Sequence, residues 1–263
     1  MKLLLATALL GVALIPAQAL ASSPFDGTWK INVSSANMPK KPDVFVLKDG
    51  MYTCQTCAPG YTVKADGTDQ AVSGHPYYDT VAIKVVDDHT IQETDKKAGK
   101  TVTTSTVTAS KDGKTATFEF ADSSNTNAAP VTGKGESKLI AAGPTGSHAI
   151  SGSWITTSFS SLSDNGVTVT YKTDGDMMMM SSPTGQSYTA KLDGTEAPYK
   201  GDPGITTVSV KKINADTLME TDKRGDKVVG TIRTTVDNTG TSATVMYHDG
   251  LRNRSMSWTQ KKI

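Results

Sequence analysis

The chain carries a copy of itself. Tyr61-Thr62-Val63-Lys64-Ala65-Asp66-Gly67-Thr68 recurs as Tyr188-Thr189-Ala190-Lys191-Leu192-Asp193-Gly194-Thr195, an offset of 127 residues. At that offset Gly74-x-Pro76 falls on Gly201-x-Pro203, and Glu93-Thr94-Asp95-Lys96 falls on Glu220-Thr221-Asp222-Lys223. Residues 61–113 and 188–240 share 21 identities over 53 ungapped positions. Upstream, Phe25-Asp26-Gly27-Thr28-Trp29 pairs with Ile150-Ser151-Gly152-Ser153-Trp154 at an offset of 125, so a small insertion separates the two stretches. A fixed period of this kind constrains the fold more than any local motif does, because both copies must adopt one architecture. The repeats span about 25–142 and 150–263, and the joint at 143–149 carries Gly143-Pro144-Thr145-Gly146-Ser147, the composition of a linker. The expected organisation is a leader at 1–21, a first unit at 22–142, a linker at 143–149 and a second unit at 150–263.

Within each copy, short β-prone runs alternate with turn residues. Asp79–Val86, Thr90–Asp95, Thr101–Ser110 and Thr115–Phe120 read as strands, as do Val208–Val210, Thr217–Asp222, Val228–Val236 and Thr244–Tyr247. Lys111-Asp112-Gly113 is a hairpin signal, since glycine accepts positive φ without steric cost. The 38 threonines reinforce the strand reading, because a branched Cβ suits a pleated surface. No amphipathic helix of useful length is visible. A meander of eight or nine strands in about 115 residues must hide its edges, and closing on itself does so. The expected fold class is all-β, with two tandem antiparallel up-and-down β-barrels.

Gly27-Thr28-Trp29-Lys30 and Gly152-Ser153-Trp154 resemble the Gly-x-Trp opening of the calycins, the lipocalins and fatty-acid-binding proteins. That resemblance implies a barrel closed at one end by the tryptophan, Trp29 or Trp154, with a basic side chain from the last strand across its ring. Lys138 in the first repeat, and Arg252 or Arg254 in the second, are the candidates. It also implies an interior that holds a small apolar molecule.

The start of the chain points to export. Lys2 precedes an apolar stretch from Leu3 to Ile15, and Ala19-Leu20-Ala21 is a small-x-small cleavage site, together the pattern of a secretory signal peptide. The mature protein is expected in a periplasm or outside the cell, with no later segment able to span a membrane. Beyond the leader, 26 basic residues balance 26 acidic ones, which argues against a nucleic-acid binder. Cys54-Gln55-Thr56-Cys57 leads into Ala58-Pro59-Gly60, a turn rather than a helix, so a disulfide formed after export is expected over a redox or metal site. The offset of 127 places Ser181 and Thr184 opposite the cysteines.

The remaining motifs are read for binding. Met177-Met178-Met179-Met180, as a strand, sends two side chains inward; plain packing is the leading reading, with Met178 and Met180 as candidate ligand-lining residues whose flexible thioethers adapt to apolar guests, and copper ligation as the third. His75-Pro76-Tyr77-Tyr78-Asp79 reads as a loop at a barrel mouth, where Tyr77 and Tyr78 would touch or gate a ligand. The Asp95-Lys96 and Asp222-Lys223 pairs read as solvated charges beside hairpins. The threonine-rich run 101–108 is polar on both faces and predicts a partly hydrophilic interior. No nucleophile elbow, zinc-protease motif or phosphate loop is present, and nothing calls for a cofactor or metal. The expected function is non-catalytic binding of a small, mostly apolar molecule in one or both barrels. The rivals are an interaction module with filled barrels, and an enzyme using the His75–Asp79 loop.

Overall fold

The computed structural model of the chain describes residues 23–124 and 129–263. The expected leader at 1–21 lies outside the described residues. The first repeat supplies β1 (Gly27–Asn37), β2 (Asp43–Lys48), β3 (Met51–Cys54), β4 (Tyr61–Lys64), β5 (Gln70–Ala71), β6 (Thr80–Asp87), β7 (Thr90–Lys97), β8 (Lys100–Ala109), β9 (Thr115–Asp122) and β10 (Val131–Ala142). The second supplies β11 (Gly152–Leu162), a single helical turn α1 (Asp164–Val167), β12 (Thr168–Asp174), β13 (Met177–Ser181), β14 (Ser187–Lys191) and β15 (Asp193–Lys200). It ends with β16 (Thr207–Lys212), β17 (Thr217–Arg224), β18 (Lys227–Val236), β19 (Ser242–Asp249) and β20 (Arg254–Lys262). The fold is all-β, and every pairing is between antiparallel strands. Among the described residues no helix is long and apolar enough to cross a membrane.

Two ten-stranded sheets result. One is a closed barrel in the order β1-β12-β13-β14-β15-β16-β17-β18-β19-β20. The other runs β4-β3-β2-β11-β10-β9-β8-β7-β6-β5 and nearly closes. Its ends are drawn together by a bridge from Asp66 to Lys84 and by the Gly67 N–H donating to the Ile83 carbonyl at 2.8 Å.

The two repeats exchange their first strands. β1 lies between β20 and β12, with Trp29 opposite Lys262 on one side and Val169 on the other. β11 lies between β10 and β2, with Trp154 opposite Leu139 and Asp43. The boundaries 22–142 and 150–263 therefore describe the sequence repeat, whereas the barrels are β2–β11 and β1 plus β12–β20. The physical reason lies in the joint. Residues 143–149 do not act as a loose linker: Gly143 N–H donates to the Ser151 carbonyl at 3.1 Å, and His148 N–H donates to the Leu47 carbonyl at 2.9 Å. This tight reversal folds β11 back along β10, from Ala142 opposite Gly152 to Gly133 opposite Leu162. β11 thus occupies the slot beside β2. β1 leaves β2 through Met38-Pro39-Lys40-Lys41-Pro42, whose two prolines lack the N–H a ladder needs, and fills the vacancy in the other barrel.

The Gly-x-Trp openings behave alike despite the exchange. Trp29 Nε1 donates to the Phe25 carbonyl at 2.8 Å, and Trp154 Nε1 donates to the Ile150 carbonyl at 2.9 Å. Both indoles are buried. Gly27 has φ 122° and Gly152 has φ 147°; a Cβ on Gly152 would stand 2.6 Å from the Leu139 side chain. Only glycine fits there.

The barrels meet through equivalent loops. The Tyr77 hydroxyl donates to Asp202 at 2.9 Å, and its ring covers Gly204, where a Cβ would lie 2.1 Å from the hydroxyl. At the 127-residue offset Tyr77 and Gly204 are the same position, so the large copy packs over the small one. Arg254 of β20 adds an ion pair to Asp43 of β2 at 2.8 Å and a hydrogen bond to the Pro42 carbonyl.

Candidate functional site in the first barrel

Strand alternation builds the interior. On β7, Ile91, Glu93 and Asp95 share the inward face; on β17, Leu218, Glu220 and Asp222 do the same. The Tyr61 hydroxyl donates to Glu93 at 3.0 Å, and the Tyr188 hydroxyl donates to Glu220 at 2.7 Å. Each barrel thus encloses a tyrosine and two carboxyls, repeated across the duplication. This overturns the reading of Asp95 and Asp222 as solvated charges: they are 8 % and 4 % exposed. The lysines that follow, Lys96 and Lys223, do face outward, pairing with Asp69 and Glu196.

The surroundings differ. The first barrel holds a cavity of about 280 Å³, open to solvent on one side and walled by aromatic and aliphatic side chains that include Phe45, Tyr52, Phe118 and Trp154, with Glu93 in the wall. The corresponding space in the second barrel is about 10 Å³, room for about one water. The register of the last strand in each barrel explains the contrast. On β10, inward-facing Gly133, Gly135 and Ser137 stand opposite Phe120, Phe118 and Ala116. On β20, Met256, Trp258 and Gln260 stand opposite Tyr247, Val245 and Ala243, the same three positions in the second repeat. Three small residues are replaced by three large ones. Opposite the glutamate the change recurs: Ser105 faces Glu93, whereas Ile232 faces Glu220. The glycines also accommodate phenylalanine rings, since a Cβ on Gly135 would lie 2.4 Å from Phe118.

Burial governs the electrostatics. It holds the Glu93 carboxyl above the usual carboxylate range, against the pull of the Tyr61 hydroxyl. Burial also pushes Asp95 well up, helped by the charges of Glu93 and Asp122. Tyr61 and Tyr52 are driven upward by burial and then by Glu93, so both stay hydroxyls. In the second barrel Glu220 and Asp222 hydrogen-bond to each other, and burial again raises both. Two like charges this deep cannot both persist, so each barrel retains protons on its acids. One aspartate oxygen in each barrel, Asp95 Oδ1 and Asp222 Oδ1, is buried without a partner, and Glu93 faces the cavity with Tyr61 as its hydrogen-bond donor.

The sequence-derived candidates fall in several places. Met178 and Met180 do point inward, but into the filled barrel, where they are core residues with no cavity to line. In the first barrel the equivalents by register are Tyr52 and Cys54, since Tyr52 pairs with Val63 as Met178 pairs with Ala190. This also corrects the matching of Cys54 with Ser181, which slips by one residue. Tyr77 bridges the barrels and does not gate the cavity. Tyr78 stacks on His75 with centroids 4.5 Å apart, beside the cavity rather than in its wall. Cys54 and Cys57 form the expected disulfide.

The basic partner of the tryptophan differs from each expected residue. Lys262 lies over the Trp29 ring, 4.9 Å from its centroid, and among the described residues no cation covers Trp154, whose cross-strand neighbours are Leu139 and Asp43. Lys138 is exposed on the outer face because it is one residue out of phase with Leu139. Arg252 sits in the β19–β20 turn, paired with Asp249, and Arg254 serves the junction with Asp43. His75 and Asp79 make no dyad: Asp79 accepts the Ala98 N–H at 3.0 Å, and His75 Nε2 has no partner. Among the described residues no three His, Cys, Asp or Glu side chains are grouped to hold a metal.

Comparison of the chain with protein-family models, curated proteins and solved structures gives no match.

Proposed function

We propose that this is an exported, non-catalytic binding protein whose first barrel holds a small, mostly apolar molecule, while the second barrel is a filled scaffold. The cavity of about 280 Å³ in the first barrel, open to solvent and lined mostly by apolar side chains, carries this reading. Its volume lies at the small end of ligand pockets, about 300–1,000 Å³, which favours a compact one- or two-ring guest over a long acyl chain. Its wall is mostly apolar, with few polar groups to orient a guest. The disulfide supports an oxidising compartment, as does the leader pattern. The twice-used Gly-x-Trp opening supports kinship with the calycins, a reading the barrel architecture permits.

The test uses the full mature chain and 1-naphthylamine, a compact fluorophore that is uncharged at neutral pH and brightens in apolar surroundings. Saturable binding of one fluorophore per chain, weakened at least tenfold by Ser105→Ile, is the expected result. Absence of saturable binding, or binding indifferent to that substitution, overturns the reading.

A further inference from the structure

We propose that the guest is an organic cation, a protonated primary amine on a small aromatic or aliphatic body, with its ammonium on Glu93 and its body against the aromatic wall. The inference rests on the proposed binding function and names the chemistry of its ligand. Three observations carry it. First, no Lys, Arg or His lies in the cavity wall, whereas Glu93 and Asp43 both do. Second, the Asp43 charge is taken up by Arg254 at 2.8 Å, whereas among the described residues Glu93 has the Tyr61 hydroxyl, and no cation, as its hydrogen-bond donor. Third, the aromatic side chains of Phe45, Tyr52 and Trp154 border the same space, and aromatic rings attract a cation over their faces.

The second barrel shows what the same acids do without a guest. Glu220 accepts from Tyr188 and hydrogen-bonds to Asp222, and Ile232 closes the space opposite it. Glu93 has Ser105 opposite instead, leaving room for a donor. The exchange balances simply. The ammonium N–H groups donate to the Glu93 carboxylate, while the neighbouring Asp95, raised by burial and by the Glu93 charge, holds the proton of the pair; no covalent bond between heavy atoms changes. Asp95 on β7, Tyr61 on β4, Tyr52 on β3, Tyr78 before β6, and the Asp43–Arg254 pair at β2 and β20 are the titratable and charged groups around it.

2-Phenylethylamine and the uncharged 2-phenylethanol test this as competitors for bound 1-naphthylamine at neutral pH. The amine is expected to compete at a concentration at least tenfold lower, and Glu93→Gln is expected to bring the ratio near one. Calorimetric titration of the native chain is expected to give a dissociation constant at least tenfold lower for the amine than for the alcohol. This arm does not depend on the variant folding or on the fluorophore binding. Equal competition by amine and alcohol overturns the inference, as does a preference that survives Glu93→Gln or equal calorimetric affinities for the two. Failure of the fluorophore alone would instead count against the apolar-guest reading.

Discussion

Ser105→Ile installs in the hollow barrel the residue that the filled barrel uses at the same position. Ser105 lies in the cavity wall directly across the ladder from Glu93, and Ile232 lies directly across from Glu220. The substitution exchanges a hydroxyl for a carbon and adds two more. At ~0.8 kcal/mol per buried methylene the ceiling is about 2.4 kcal/mol. Incomplete contact with the walls of a space several times larger, and loss of the serine hydroxyl, reduce the expected gain to about 1–2 kcal/mol. Had the interior been packed, the same change would cost about 1–3 kcal/mol through overpacking, so the sign of the effect decides the matter. Thermal unfolding followed by near-ultraviolet circular dichroism should show the midpoint rising by about 2–8 °C, at 2–4 °C per kcal/mol for a chain of this size. Fluorophore binding should fall in parallel. A variant destabilised by 1 kcal/mol or more with unimpaired binding would refute both the hollow interior and its role.

The reciprocal change, Ile232→Ser, should cost about 2–4 kcal/mol in urea unfolding, because it empties space in a packed core. Lys262→Met, which keeps the aliphatic stem but removes the charge over Trp29, should cost about 0.5–1 kcal/mol by the same measurement. The raised carboxyls set a pH dependence: protons are bound more tightly in the folded chain than in the unfolded one. The stability they contribute is complete below the unfolded value near pH 4 and declines as pH rises through the folded values. Urea midpoints should therefore fall between pH 5 and pH 8, and Asp95→Asn with Asp222→Asn should flatten that slope; a native slope of opposite sign would refute the assignment. The strand exchange predicts that Lys30→Cys with Lys261→Cys, cross-strand partners on β1 and β20, forms an intramolecular disulfide seen by mass spectrometry, while Lys30→Cys with Lys138→Cys does not.

The sequence made the β-barrel architecture legible because both of its signals are periodic. The duplication fixes the two-fold repeat, and the turn residues at Asp112-Gly113 and elsewhere set the strand rhythm, so β6–β9 and β16–β19 fall where they are expected. The site was harder to read for a specific reason. Glu93-Thr94-Asp95-Lys96 contains three charges in four residues, and composition alone suggests a wet edge. The deciding signal was parity: Ile91, Glu93 and Asp95 alternate on one face, as do Leu218, Glu220 and Asp222, so burying the aliphatic residue buries both acids. Parity also separates Leu139, which meets Trp154, from the outward Lys138. The hollow of the first barrel was encoded just as locally, in Gly133, Gly135 and Ser137 against Met256, Trp258 and Gln260. Reading it required the register of β10 and β20, where the repeats no longer align by eye.

The exchange of first strands follows from connection lengths that no periodicity reports. A tight β10–β11 reversal binds the second Gly-x-Trp strand to the first barrel, and the proline-bearing segment 38–42 lets the first one cross. Each barrel is then incomplete without a strand from the other repeat, and the pseudo-symmetric contact of Tyr77 with Gly204 lies at the same junction. That arrangement is what two copies of a single-repeat ancestor would make by reciprocal swapping, and fusion of the copies turns an association between chains into one within a chain. Once joined, the barrels were free to diverge, one toward a packed interior and one toward an open one. The second repeat contributes to the cavity even though its own barrel is filled, because the strand it donates forms part of the cavity wall: Trp154 and Thr156 come from β11. Mutations that loosen the second repeat's own barrel should therefore weaken binding in the first only when they disturb β11 or its hairpin with β10, and substitutions confined to β16–β18 should leave the cavity's affinity intact while lowering overall stability.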